Sequence, residues 1–242
     1  TELTNPQNYG LLGITWGNDQ FVAVGEYDTT DTYIITEDEG FLIASTNIFR
    51  VTDIGRLVRI KHGAVWGHSK ITEYVSQNKV KASIINLYGA TTASLDWRLG
   101  LWSYTTGWPS AVTFYEDRLV FGGGEDNPGR VDGSKTGQYE NFEPTAVDGT
   151  VANDNAISFT LNSSSVNDIY WLSDDEKGLI AGTAGGCWLM RQSAYGEAMS
   201  AINPPNARKF TSYGSANIDA LKVGRTTLFV QREGRVLREI SA

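Results

Sequence analysis

Two histidines, His62 and His68, are the chain's only imidazoles. They stand six residues apart across Gly63 and Gly67, which fits a strand, a turn and a strand. A shared zinc ion would need a third or fourth N or S ligand, and none has suitable spacing, so both are expected in surface loops. Carboxylates cluster at Glu37-Asp38-Glu39, Glu116-Asp117 and Asp174-Asp175-Glu176. Glycoside hydrolysis would need two carboxyl groups at a set separation, but each cluster falls between apolar runs, where turn solvation accounts for it. Cys187 is the sole cysteine, so an intrachain disulfide and a cysteine-rich metal site are excluded. With Trp188 and Leu189 beside it, it is expected as a buried strand residue that behaves as a small hydrophobe. Gly122-Gly123-Gly124 and Gly182 with Gly185-Gly186 open no amphipathic helix, so they lack the helix N-terminus on which a phosphate loop relies. Asp148, Asn153, Asp154 and Asn155 offer oxygens of the kind calcium takes, and an Asx-rich loop is the commoner use of such a run. No catalytic residue, cofactor site or metal site is assigned from these patterns.

The elements that would position these side chains are strands. The chain of 242 residues has 26 glycines, 7 tryptophans and 40% hydrophobic residues, and few windows carry helical periodicity. Its 20 Lys and Arg against 28 Asp and Glu give a net charge of −8. That balance argues against a dedicated nucleic-acid grip, which needs clustered cations, but would let DNA slide past. No apolar run reaches the ~20 residues of a membrane span, and no signal peptide is recognisable. Because the chain opens on Thr1 and stops soon after a strand-like run, a longer native chain is expected.

Strand, tight turn and strand recur along the sequence. Leu12–Trp16 and Phe21–Gly25 flank Gly17-Asn18-Asp19, and Tyr33–Thr36 and Phe41–Ala44 flank Glu37–Gly40. Strand starts near Ala111, Asp168 and Asp219 lie roughly 50 residues apart. Repeats of four strands at that spacing predict an all-β fold of β-propeller-like blades, with an irregular β-sandwich as the competing architecture. Residues 47–100 break the repeat and are expected to be a small β-domain or insertion. The expected division is blade-like hairpins over 1–46, the insertion over 47–100 and propeller-like blades over 101–242.

One stretch, Trp97 to Phe142, organises the rest. Gly107-Trp108-Pro109 makes a corner, since Pro109 fixes its own φ and pushes Trp108 towards extended geometry. Val112, Thr113, Phe114, Arg118, Leu119, Phe121, Gly122 and Gly123 follow, then Pro128, Ser134, Gly137, Tyr139 and Phe142. This pattern resembles the tail nozzle or hub (tail tubular) proteins of short-tailed bacteriophages. The resemblance extends over roughly residues 49–242, including Thr52–Ile60 and Leu228–Arg232. It implies a non-enzymatic virion protein of the phage tail, assembled in the host cytoplasm. Its partners would be itself, in a homo-oligomeric ring taken as a hexamer, the tail adaptor and other tail proteins. DNA would meet it only in transit through the ejection channel.

A second expectation competes with this one. Trp97, Trp102, Trp108, Arg118 and Tyr139 are candidates for an interface or for stacking on glycans. Under the glycan alternative the protein is a propeller-type carbohydrate-binding or glycan-degrading tail protein acting on host surface glycans. It requires tryptophans beside carboxylates in one cleft. A cellular propeller scaffold that recognises a protein partner is a third option.

Overall fold

The computed structural model describes residues 11–17, 20–25, 32–33, 39–162, 167–192 and 197–240, with side chains from residue 40 onward. Among them the regular elements are β-strands apart from one 3-10 turn, and all strand pairing is antiparallel. No helix among the described residues is long and apolar enough to cross a membrane. The chain forms two compact units, residues 1–106 with 147–149, and residues 107–146 with 150–242.

In the first unit, β1 (Leu11–Gly17) and β2 (Gln20–Gly25) pair as the expected hairpin, whose turn residues Asn18 and Asp19 lie outside the described residues. Next come β3 (Thr32–Tyr33), β4 (Glu39–Ile43), β5 (Leu57–His62), β6 (Val65–Ser76), β7 (Lys79–Asn86) and β8 (Trp97–Leu99). They make one six-stranded sheet in the order β3-β4-β7-β6-β5-β8. The hairpin expected across Glu37–Gly40 is the pairing of β3 with β4, though residues 34–38 lie outside the described residues. Because β4 also pairs with β7, residues 39–43 share a sheet with residues 57–86. Side chains of a strand alternate between faces, and β5 follows this rule, with Val58, Ile60 and His62 buried and Arg59 and Lys61 half-exposed. The buried face gathers Leu42, Phe49, Val58, Ile60, Ile71, Val80, Ala82 and Tyr88.

The second unit holds three sheets, each ordered as its strands occur in the chain. The first is β9 (Ala111–Tyr115), β10 (Arg118–Gly122), β11 (Arg130–Gly133) and β12 (Ile157–Thr160). The second is β13 (Ile169–Asp175), β14 (Gly178–Thr183), β15 (Gly186–Arg191) and β16 (Asn206–Thr211). The third is β17 (Leu221–Val223), β18 (Thr226–Val230) and β19 (Leu237–Ile240). Strands begin at Ala111, Ile169 and Leu221, close to the starts expected near Ala111, Asp168 and Asp219, but among the described residues the third sheet has three strands where the repeat predicts four. β11 and β16 have no clear apolar alternation. Arg130–Gly133 reads as polar loop in the sequence and becomes strand because β10 and β12 pair on either side of it.

The second sheet is covered on both faces. Towards the first sheet it packs Ile169, Leu172, Leu179, Ala181, Trp188 and Met190 against Ala111, Val120, Val131 and Ile157. Towards the third it packs Trp171, Ile180 and Cys187 against Phe229 and Ile240. Every residue of β14 is buried as a result. Each large aliphatic or phenyl side chain so buried contributes about 1.5–3 kcal/mol. Trp171 lies across Gly182, its register partner, and meets Phe229 at 5.8 Å between ring centroids. A Cβ at Gly182 would fall 2.0 Å from Trp171 Cε2, so the indole fits only because that position is bare. Trp171 Nε1 donates to Ser215 Oγ at 2.5 Å, which satisfies the indole's one donor. Cys187 is fully buried, as expected, and burial pushes its thiol up to about 12.

Gly182→Ala should therefore lower the stability of the second unit by about 2–3 kcal/mol, the usual cost of overpacking, measured by urea unfolding. A thiol reagent such as DTNB should reach Cys187 only as fast as the unit opens, and faster in the Gly182→Ala variant. Rapid labelling of the native wild-type protein would contradict this packing.

Candidate functional site

The five candidate residues divide between the units. Trp97 and Trp102 belong to the first, and Trp108, Arg118 and Tyr139 to the second. Arg118, Tyr139 and their neighbours on the β9–β10 hairpin join in one group of polar contacts. β9 and β10 pair from Arg118–Tyr115 onward, so Glu116 and Asp117 are the two central residues of the turn. Both have positive φ, 46° and 56°. This turn twists in the sense the strands require, and a left-handed conformation costs a non-glycine residue about 1–2 kcal/mol. Three contacts offset that cost. Glu116 Oε2 accepts from Met199 N at 2.6 Å, Asp117 O from Gly137 N at 2.8 Å, and Asp117 Oδ1 from Tyr139 Oη at 2.7 Å. The last of these also raises the Tyr139 phenol above its ordinary value.

Arg118 is only 2% exposed. Its Nη1 donates to Ser134 O at 2.5 Å and to Asn155 O at 2.7 Å, and its Nη2 donates to Asn153 O at 2.8 Å. Burial lowers its pKa, while Asp154 and Glu116 act in the opposite sense. Arg118, a candidate for an interface or for glycan contact, is thus an internal clasp on backbone carbonyls. The Asx-rich loop does turn its backbone oxygens inward as it would towards calcium, but the cation they meet is the guanidinium. No group of three or more His, Cys, Asp or Glu among the described residues is placed to hold a metal.

Around the clasp, residues 134–146 fold back over the outer face of the first sheet. Tyr139 meets Phe114 edge-on at 5.1 Å, and Phe142 stacks on Phe121 at 5.4 Å. Val112 and Phe114 on β9 remain 58% and 60% exposed on this face. Trp108 is also exposed. In the first unit, Trp97 and Trp102 are half-buried. Trp97 lines a shallow apolar hollow with Leu42, Phe49, Val58 and Ile60, where Ser94 is the polar residue and donates to Lys61 O at 2.6 Å.

The side chains of Glu37, Asp38 and Glu39 lie outside the described residues, whereas the carboxylates of Asp174–Glu176 take structural partners. Asp174 pairs with Lys222 at 2.5 Å and Glu176 pairs with Arg225, which ties the β13–β14 turn to the β17–β18 turn. Asp175 Oδ1 accepts from Lys177 N at 3.1 Å. The histidines are not surface-loop residues as expected. Both lie in strands, His62 ending β5 and His68 within β6. Strand alternation turns them to opposite faces, since His62 is buried beside Tyr88 while His68 pairs in register with Arg59. His62 Nε2 hydrogen-bonds Thr92 O at 2.8 Å, and burial lowers its pKa below 6.5.

A second clasp was not anticipated. Asp53, at the end of the 3-10 turn Val51–Asp53, is fully buried. It accepts from Arg50 N at 2.8 Å, Arg56 Nη1 at 2.9 Å and Thr105 Oγ1 at 2.7 Å. Arg56 Nε also donates to Gly100 O at 2.6 Å. The nearest sequence signal was Asp53 and Arg56 three residues apart, which is too common to single out. A comparison with protein-family models finds no match, and neither does one with curated protein sequences.

Arg118→Met should leave three carbonyls without their donor and lower stability by about 3 kcal/mol or more. Limited proteolysis should then cut within residues 134–155 first. Arg118→Lys, which keeps the charge but not the fork, should recover only part of the loss. Unchanged stability and cleavage in Arg118→Met would show that the clasp does not hold these loops.

Proposed function

We propose that the protein is a structural subunit of a short-tailed phage's tail nozzle, forming part of a ring around the DNA-ejection channel. The three sheets of the second unit would then be consecutive blades of a propeller. The observation that carries this reading is the state of the stack's two ends. The outer face of the first sheet shows Val112 and Phe114, and the outer face of the third shows Leu221 and Leu237, 64% and 66% exposed, with Val223 beside them. Contiguous apolar faces of this kind mark contact surfaces, and an arrangement of unlike faces meeting head to tail closes into a ring when the rotation permits.

The residues that carry the resemblance to nozzle proteins support it in another way. Arg118, Ser134, Gly137, Tyr139 and Phe142 all serve the clasp and loop that shape one of those end faces. Their types are explained by rigidity rather than by turnover. A rigid subunit with two unlike sticky faces is what a ring needs.

Negative-stain electron microscopy and mass photometry of the full chain, alone and with the neighbouring tail adaptor, test the reading. Rings with an axial opening are expected. Phe114→Glu or Leu237→Glu should leave the monomer folded and lower the assembled fraction at least tenfold. Monomers under both conditions, together with binding to cell-surface glycan, would overturn it in favour of the carbohydrate alternative.

A further inference from the structure

Charge is unevenly distributed along the chain. The whole carries −8, and residues 1–39 hold eight Asp and Glu with no Lys or Arg, but residues 40–106 hold eight Lys and Arg against three Asp and Glu. The six-stranded sheet places most of these cations on one face. Opposite the buried side of β5 lie Arg59 and Lys61, and cross-strand register sets Arg98 of β8 and His68 of β6 on either side of Arg59. Lys70 pairs with Leu57 on one side and Ser83 on the other, and Lys81 and Lys79 of β7 pair with Phe41 and Ile43 of β4. The result is a diagonal stripe of six Lys and Arg from β8 to β7. Lys70 and Arg98 are exposed, and the other four are half-exposed.

Several of these side chains are held flat. Arg59 lies 4.3 Å and Lys61 5.7 Å from the Trp66 ring centroid, and Lys79 lies 4.3 Å from that of Phe41. Such stacking keeps a cation over an aromatic face and limits the entropy it loses on binding. Acidic residues also stand close by. Asp96 O accepts from Lys61 N at 2.8 Å, two residues before Arg98, Glu73 is opposite Lys81, Glu39 pairs in register with Ser83, and Asp148 follows Val147, whose carbonyl accepts from Trp66 N at 2.7 Å. Alternate residues of a strand stand about 6.7 Å apart, about twice the axial rise per nucleotide of one DNA strand.

We infer that this face of the first unit binds nucleic acid through its phosphates, with Arg59, Lys61, Lys70, Lys79, Lys81 and Arg98 as the contacts. The contact is sequence-independent and sensitive to salt. It does not rest on the ring reading, since it concerns one face of one unit.

Fluorescence anisotropy with a labelled 20-nucleotide DNA strand and its duplex, titrated against the full chain across salt concentrations, tests this. Saturable binding is expected at low salt, with the logarithm of affinity falling by about 3–5 per tenfold rise in salt on the duplex. Lys70→Glu with Lys79→Glu and Arg98→Glu should weaken binding at least tenfold and flatten the salt dependence. Arg232→Glu with Arg235→Glu, exposed in the second unit, should leave it unchanged. Lys70→Gln alone, a mild change at an exposed position, should reduce the slope by about one. Circular dichroism confirms that each variant is folded. Absence of binding at low salt, or equal weakening by both sets of substitutions, would overturn the proposal. So would equally tight binding of poly-glutamate, which would assign the face to an acidic protein segment.

Discussion

The second unit depends on a sheet that is buried on both faces. Each residue of β14 is out of water, so β13, β14 and β15 must carry apolar side chains in both directions. That requirement explains the near-continuous run Leu179-Ile180-Ala181-Gly182, where a one-face strand would alternate. It also explains the bare Gly182 under Trp171, because an indole can lie flat between two sheets only where its neighbour leaves room. The flanking sheets each have one face supplied with a partner sheet and one without, that of the first sheet being partly covered by Tyr139 and Phe142. Stack and apolar ends therefore follow from one packing constraint.

Polar side chains then fix what packing leaves loose. Arg118 replaces what a loop of converging carbonyls would otherwise take from water or a metal, with a charge that the chain itself supplies. Asp53 does the same for amide and guanidinium donors in the first unit. Both are buried charges, and such charges are tolerated only with their hydrogen bonds made. A fixed loop gives the first sheet's outer face a fixed shape, which links the Arg118 clasp to the proposed assembly.

The strands were legible where apolar runs were bounded by glycine or acidic turns. β9, β10, β13, β14 and β18 follow directly from Val112–Phe121, Ile169–Gly182 and Leu228–Gln231. β11 and β16 were not, because their pairing is imposed by neighbours and not by their own side chains. Of the candidate site residues, Tyr139 and Trp108 are exposed, whereas Arg118 is internal, and nothing local distinguishes an arginine that will meet three carbonyls. The basic face is hidden in the sequence because net charge averages over the chain. It becomes visible only when register places β8, β5, β6 and β7 side by side.

Hydrogen–deuterium exchange by mass spectrometry, on dilute monomer and on assembled protein, tests the central claim most directly. A stack closed in the middle and open at its ends predicts that Leu179–Thr183 exchanges slowest in both samples. Leu221–Val223 should exchange quickly in the monomer and gain protection on assembly. Exchange of Leu179–Thr183 as fast as that of Leu221–Val223, or no added protection of the third sheet in assembled protein, would contradict the account.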